Sequence, residues 1–492
     1  MKRYFPLYFL AALTLTGCEL NETPYSGIYT ENFYQTRQDA EAALIAAYAP
    51  LVDLYQGPAA VVASDFSADQ TYPRVVVGRN LLTTYEYDVN YTTVKSLGRA
   101  YESPFAIWQY AYAGIERANW VIARVPATPM DAVRRSQIVA EAYFLRAFYH
   151  WTLAKNFNEI PVKTQPTASQ EAAFTGKSTK AQVYQQIYAD LDEALKSLPS
   201  YPTNDRGRAS KEAALALYAK AALYNEEWPK ALQRAEELIS GGKVGLMANV
   251  RDLYDVTKED EARRESLFAF EGERADPSKF TFMLPLTGPP NSAGIEYGNT
   301  SFGSIFAFQS FFDSFNPVDK RRGQLDTTYL NRQGQRVPQR SITPITPRGV
   351  LIKKYQDPNS IADRGNINIH ILRYADVLLI AAEAEARANG PTAKAYGYLN
   401  QVRTRAGLSN LTPGLSKDAF IAALLQERSW EFFAEGDRWY DLTRTNTFMQ
   451  VIPKATNDVF PVRNPQPRHR YFPIPLDEVL ANPQLEQNPD WQ

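Results

Sequence analysis

A mainly α-helical protein is predicted: a scaffold of paired helices with a large irregular inserted region and few short strands. Three observations predict it. Apolar residues recur at three-and-four spacing through much of the first half and the last quarter, glycine and proline punctuate those segments, and residues 245–370 carry no helical period. A chain of 492 residues exceeds one ordinary core, so two packed regions or a long array with insertions is expected. Its 53 Lys+Arg balance 54 Asp+Glu to a net charge of -1, and no basic run neutralises a row of phosphates, which argues against a nucleic-acid partner. The 30 Tyr, 25 Phe and 7 Trp suit thick helix packing or flat surfaces for a sugar or peptide, and composition does not separate the two.

The N-terminus reads as a targeting segment. Met1-Lys2-Arg3 is basic, residues 4–15 are apolar but too short to span a bilayer comfortably, and the small pair Thr16-Gly17 follows, so residues 1–17 are assigned as a signal peptide. Cys18 is the only cysteine, which excludes an intramolecular disulfide and a cysteine-based metal site. Leu15-Thr16-Gly17-Cys18 resembles a bacterial lipobox, which implies cleavage before Cys18 and acylation of its thiol. More than one acyl chain makes such an anchor stable. Residues 18–36, with Thr23-Pro24 and Ser26-Gly27, form a polar tether. No other transmembrane segment is evident, so the body is expected to be soluble and tethered.

Residues 37–244 form an N-terminal helical region. Ala40, Ala43, Leu44, Ala47, Tyr48, Leu51, Val52 and Tyr55 predict one helix, ended by Gln56-Gly57-Pro58. Residues 64–103 lose the period while Tyr72, Tyr85, Tyr87 and Tyr91 alternate with polar residues, which predicts an irregular, largely exposed loop. Helical spacing returns at Trp108, Tyr112, Ile115, Asn119 and Ile122, and again at Ile138, Ala142, Leu145, Tyr149 and Leu153, with Pro126-Ala127-Thr128-Pro129 between them. Val183, Ile187, Leu191, Ala194 and Leu198 mark a further helix. Residues 211–225 and 229–240 then make a compact pair closed by Gly241-Gly242; its Ala221-x-x-Tyr224 and Trp228-x-x-Ala231 resemble half of a tetratricopeptide repeat.

Residues 245–370 are rich in Gly, Pro, Asn and Phe and read as an inserted subdomain. Residues 371–492 return to helical hairpins and an extended cover. Ile371, Tyr374, Leu378 and Ala381 predict one buried stripe, Asn389-Gly390-Pro391 turns the chain, and Ala395, Leu399, Val402 and Ala406 line the partner helix before Gly407. A last helix over 417–433 runs into the stretch 427–444, where carboxylates, arginines and aromatic rings crowd around Gly436. The prolines of Pro473-Ile474-Pro475 predict a cover strapped over the helices.

Four blocks carry a family resemblance. Leu372-Arg373-Tyr374-Ala375-Asp376-Val377-Leu378-Leu379-Ile380-Ala381-Ala382-Glu383-Ala384, then Leu399-Asn400-x-Val402-Arg403-x-Arg405-Ala406-Gly407, then 427–444, then Pro473-Ile474-Pro475 with Gln487-Asn488-Pro489 resemble the C-terminal signature of the SusD/RagB family. Trp108-x-x-x-Tyr112-x-x-Ile115-x-x-Ala118-Asn119 agrees in the N-terminal half. The resemblance implies an outer-membrane, surface-exposed lipoprotein with a tetratricopeptide-type helix-hairpin scaffold. It implies a protein that binds oligosaccharide, or in some members peptide, beneath which sits a TonB-dependent barrel transporter, and that is not an enzyme.

The residues themselves suggest how the chemistry divides. Glu427 and Glu431 stand i, i+4 on one helix face, as a glycosidase pair would, but Arg428, Arg438 and Arg444 nearby favour ionised, salt-bridged carboxylates over a general acid, so no catalytic residue is assigned. Asp376 and Glu383 lie within an apolar stripe and need partners, for which Arg403, Arg405 and Arg428 are the candidates of an internal ion-pair network. His150, His370 and His469 are scattered without metal-ligand spacing, so no metal or cofactor is expected. In proteins of the resembling family the ligand contacts come from loops outside the helix pairs, here 64–103 and 278–312. Rings that stack on sugar faces and side chains that pair with hydroxyls then nominate Tyr72, Arg74, Tyr85, Tyr87, Tyr297, Asn299 and Phe302. A peptide-binding lipoprotein of the same fold and a surface-tethered glycan-active enzyme are the alternatives.

Overall fold

The computed structural model describes residues 33–75, 79–92, 104–202, 205–292, 294–341 and 349–492. Cys18, the signal peptide and nearly all of the tether lie outside the described residues. Among the described residues no helix is long and apolar enough to cross a membrane.

The mainly α expectation holds, and the helices begin where their caps stand. Thr36 and Asp39 form a capping box on Arg37–Tyr48, Thr179 and Gln182 another on Lys180–Leu195, and Asp131, Ser210, Thr392 and Ser416 cap four more. The single helix expected over 40–55 is interrupted at Ala49, because Pro50 has no N–H to continue the ladder and opens a separate helix, Pro50–Gln56. Ile371, expected in the stripe of a helix, belongs instead to a strand, and the helix starts at Tyr374.

The long helices stack in series. Pro104–Arg124 packs on Ala132–Phe157, which packs on Lys180–Leu195, which leads to the hairpin Lys211–Tyr224 and Trp228–Ser240. The first two approach so closely that a Cβ on Gly114 would lie 2.2 Å from the Tyr149 ring. The second hairpin, Tyr374–Asn389 with Ala393–Arg405, is far away in sequence, yet Tyr374–Asn389 lies directly against Trp228–Ser240. The two hairpins are therefore neighbours in one array. Lys211–Tyr224 and Tyr374–Asn389 are buried nearly all round, as central helices must be.

The inserted region supplies most of the strands. In chain order they are β1 (Thr71–Pro73), β2 (Ser266–Phe270), β3 (Ile305–Phe308), β4 (Leu325–Asp326), β5 (Thr328–Leu330), β6 (Arg336–Pro338), β7 (Gly349–Ile352) and β8 (Ile369–Arg373). They form one antiparallel sheet in the order β1-β3-β7-β4 and two antiparallel pairs, β2-β8 and β5-β6. Residues 64–73, expected in an exposed loop, are almost wholly buried, because Thr71 pairs with Ala307 and Pro73 with Ile305 in the sheet of the insertion. The backbone groups of 71–73 find their partners there rather than in water.

A buried ion network holds these parts in register. Glu431 accepts from Arg405 at 2.6 Å, Arg373 at 2.9 Å and Arg321 at 3.3 Å. Arg373 and Arg405 also reach Glu265, at 2.8 and 3.1 Å. Arg428 donates to Asp376 at 2.6 Å and to Asp441 at 2.8 Å, and Lys220 sits 2.9 Å from the same Asp376. Arg403 reaches Glu427 at 2.9 Å. Glu383 pairs with Arg444 through two 2.7 Å bonds and with Arg387, neither of which was among its expected partners.

The stretch 427–444 also grips the N-terminal half. Arg438 forms a fork on Asp69 at 2.8 and 2.9 Å, the Trp439 N–H donates to Ser64, and the Gly436 N–H donates to Asp65. At Gly436 φ is +84° and a Cβ would meet the Val61 backbone at 3.0 Å, so both conformation and space require glycine. The C-terminal segment, which includes the short helix Leu476–Ala481, is tied to the helices: the Phe472 N–H donates to the Asn156 carbonyl, and Asn488 donates to the carbonyls of Phe157 and Phe472.

Two outcomes test this network. Asp376→Ala leaves Lys220 and Arg428 each short of one buried partner, so it should cost about 3–5 kcal/mol and lower the melting temperature, while the folded fraction keeps its ligand affinity. A selective loss of binding with an unchanged melting temperature would overturn the structural role. Acid titration is the second test. Burial alone would raise the carboxyls, but Arg444 brings Glu383 down to about 2, Lys220 and Arg428 hold Asp376 well below its usual range, and Arg405 and Arg373 do the same to Glu431. Their folded values lie below their unfolded ones, so the stabilisation is present above about pH 4.5 and is lost as pH falls toward 2. Melting temperature followed by circular dichroism should fall steeply through that window, and less steeply in Glu383→Gln.

Candidate functional site

The nominated tyrosines lie inside the protein. Tyr72 is fully buried in β1, with its ring 4.8 Å from Phe308 and 5.9 Å from Phe460. Tyr85 donates to the Ser67 carbonyl and packs on Trp439 and His469, and Tyr87 lies between Tyr91, His469 and a stacked Trp491. Tyr297 is fully buried as well. None of these four has a ring face open to a ligand, which corrects the expectation for them: long loops spend their aromatics on their own cores. Arg74, Asn299 and Phe302 are at the surface. Arg74 Nη1 donates to the Phe302 carbonyl at 3.3 Å beside the 60 % exposed Val75, and Asn299 is tied through its backbone N–H to Ser360.

Two concavities compete for the role of binding site. The first, of about 360 Å³, lies between Pro104–Arg124 and the C-terminal cover and is lined by Trp108, Tyr112, Ile115 and Leu485 among others. Two of its charged groups are already engaged: Glu116 accepts from Trp120 and Thr167, and Lys163 donates to the carbonyls of Ala172 and Ala173. The second, of about 470 Å³, is a cleft in the inserted region.

The cleft brings together four separate segments. The turn Val250–Tyr254 and its continuation supply Arg251, Tyr254 and Asp255; the turn Lys320–Gln324 supplies Gln324; the strand-end after β7 supplies Lys353, Gln356 and Asn359, with Ile295 and Glu296 at the side. Its floor is anchored to the ion network. Tyr254 Oη donates to Glu435 at 2.6 Å, Lys354 Nζ at 2.5 Å, and Arg373 Nε reaches the other oxygen at 2.9 Å. Two bonds from Thr257, at 2.7 and 2.9 Å, hold the Asp255 carboxyl below its usual range, so it is an ionised acceptor at neutral pH.

Gln324 is the distinctive residue. It is 3 % exposed, and neither its carboxamide oxygen nor its nitrogen has a hydrogen-bond partner, although it lines the cleft. Its backbone is fixed, the carbonyl accepting from the Lys353 N–H at 2.7 Å. A buried amide left unpaired costs about 1–3 kcal/mol, and one that faces a ligand recovers that cost on binding. No sequence signal marks Gln324, because its significance lies in partners it lacks.

The carboxylates at 427 and 431 have no part in such a site. Glu431 is buried and ionised against three arginines, so it holds no proton to donate, and Glu427 is buried between Arg403 and Arg321, out of reach of a ligand. The histidines are structural. His370 bridges Ser266 and the Leu253 carbonyl, His150 accepts from the Lys163 N–H and His469 from the Gln466 N–H. Burial lowers His150 to about 3 and the other two to about 4, which keeps them neutral. Among the described residues no group of three or more His, Cys, Asp or Glu could hold a metal ion.

Two family models match the chain. Residues 31–223 match the family model described as "Starch-binding associating with outer membrane", and residues 245–491 match that of the SusD family. SusD-like protein P2 of Formosa agariphila is 27 % identical over 513 residues, covering 99 % of both chains. Among solved structures, a SusD homolog from Bacteroides thetaiotaomicron superposes with a TM-score of 0.78 at 22 % identity, covering 94 % of this chain and 98 % of that one. Surface glycan-binding protein A from the same organism, in complex with laminarihexaose, gives 0.75 at 22 % identity, covering 92 % of this chain and 99 % of that one. At these identities the structures speak for the fold alone, but the family match spans the insertion, its cleft, the ion network and the cover together: the chain belongs to the SusD family.

Proposed function

We propose that the chain is a glycan-binding lipoprotein of the outer-membrane surface, anchored through Cys18, that captures an oligosaccharide and delivers it to a TonB-dependent transporter without catalysing a reaction. Family membership supports the class, as does the fold shared with a protein whose structure contains laminarihexaose. The single observation that carries the site is Gln324, buried with both amide atoms unpaired at the edge of a 470 Å³ cleft. A carboxamide offers one donor and one acceptor side by side, the complement of two neighbouring sugar hydroxyls. Tyr254 adds an aromatic wall, and Asp255, Gln356 and Asn359 add hydroxyl partners. Asn299 and Phe302, from the same segment as Ile295, and Arg74 beside Phe302 are proposed as outer contacts.

Catalysis is left out of the proposal for a physical reason. The carboxylate pair that the sequence brings forward, Glu427 and Glu431, is sealed inside the protein and paired with arginine, whereas a general acid needs a raised pKa and access to the glycosidic oxygen.

Two measurements follow. Screened against a polysaccharide panel, the protein should bind at least one oligosaccharide, and Gln324→Leu should weaken it about tenfold, or about 1.4 kcal/mol. Because the substitution breaks no existing side-chain bond, the melting temperature should hold or rise; unchanged affinity would move the site out of this cleft. Prolonged incubation with the same glycans should yield no shorter products by chromatography, and turnover that survives further purification would make the protein an enzyme.

A further inference from the structure

A third pocket stands apart from the cleft, where the end of Ala132–Phe157 meets the start of Lys180–Leu195 and the helix Arg438–Arg444. Four cations line it, Lys155, Lys180, Arg444 and Arg470, and no lining residue is a carboxylate. Each cation lies over an aromatic ring. Lys155 Nζ is 4.1 Å from the Tyr440 centroid and 4.5 Å from that of Trp151, and Lys180, Arg444 and Arg470 face Tyr184, Tyr224 and Tyr471 at 5.5–5.7 Å.

The acidic groups nearby are committed elsewhere or act from a distance. Arg444 is neutralised by Glu383 and Asp441. Asp376 and Asp437, which act on Lys155, are both held by Lys220, and Glu226 acts on Lys180 without an ion pair to it. Among the described residues Lys155, Lys180 and Arg470 thus have no salt-bridge partner. Two further polar atoms are left unpaired. Tyr224 lines the pocket, is 7 % exposed, and its hydroxyl has no hydrogen-bond partner; Arg470 Nε, also buried, has none. Cations stacked on rings keep their unused N–H donors for an anion.

We propose that this pocket is a second subsite, which takes the carboxylate or sulfate group of an acidic saccharide. The enclosed space is about 20 Å³, more than the 10–15 Å³ or so that one water needs, so it admits the oxygens of a charged group but not a sugar ring. The ring would rest outside, against Tyr471. Tyr184 and Tyr440 are buried behind the cations, and Tyr471, half-buried at the rim, gives the flat apolar face suited to a saccharide, where an acidic peptide would call for backbone partners. The inference rests on the glycan-binding reading but uses different residues from the cleft.

The test titrates the purified full chain with glucuronate and glucose 6-sulfate, with glucose as the neutral control and a glutamate-rich peptide as the protein-side competitor. Saturable binding of the acidic sugars, weakened by salt and reduced at least tenfold in Lys180→Met/Arg470→Met, is expected; glucose should not bind there. The double variant should keep its melting temperature and its affinity for neutral oligosaccharide at the cleft. Absence of saturable binding, equal binding of glucose, retention in the double variant, or tighter binding of the peptide would each overturn the proposal. If neutral oligosaccharides fail to bind while the acidic sugars succeed, the cleft reading falls and this subsite stands; the reverse removes the subsite alone.

Discussion

Glu431 and the three arginines around it are the constraint on which the rest depends. Burying a carboxylate costs several kcal/mol unless charge and hydrogen bonds replace its water, and here Arg405, Arg373 and Arg321 arrive from three different segments to do so. Such a cluster is satisfied in one arrangement only. It fixes the hairpin helix ending at Arg405, the strand-to-helix junction at Arg373 and the turn at Arg321 relative to the last long helix. The network extends through Glu435 to Tyr254 and Lys354, which line the cleft. A site built from turns thereby acquires a rigid floor.

The insertion is compatible with the helical array because of where it leaves and returns. β2, near its start, pairs with β8, its last element, and β8 runs directly into Tyr374–Asn389. The helix that precedes the insertion and the helix that follows it then pack on each other as though nothing lay between them. What the insertion carries can change in length and composition without disturbing that stacking, the condition under which a scaffold presents a binding surface. The insertion is not independent of the N-terminal half, since β1 completes its sheet and Arg438 fastens Asp69 nearby.

Much of this was legible in the sequence, for reasons particular residues show. Helices announced themselves by apolar spacing and by breakers such as Pro126-Ala127-Thr128-Pro129 and Gly241-Gly242. The charged residues inside the stripe at Asp376 and Glu383 demanded partners, and Arg428 does meet Asp376. The partner of Glu383 was misjudged because Arg444 approaches across a turn that no local spacing encodes. The tyrosines at 72, 85, 87 and 297 were misplaced because alternation with polar residues looks the same in an exposed loop and in a segment buried on every side by distant chain. Gln324 was invisible, since an unpaired amide is defined by what fails to approach it.

The sequence by itself determined the main helices, the helix-hairpin class and the family, because periodicity and ordered motifs are local and survive in one dimension. Only the tertiary structure decided which charges pair, which aromatics are core, and where unpaired polar groups remain for a ligand. Those depend on atoms brought within about 3 Å from residues hundreds of positions apart, and a hydrogen bond is made or lost over less than one ångström.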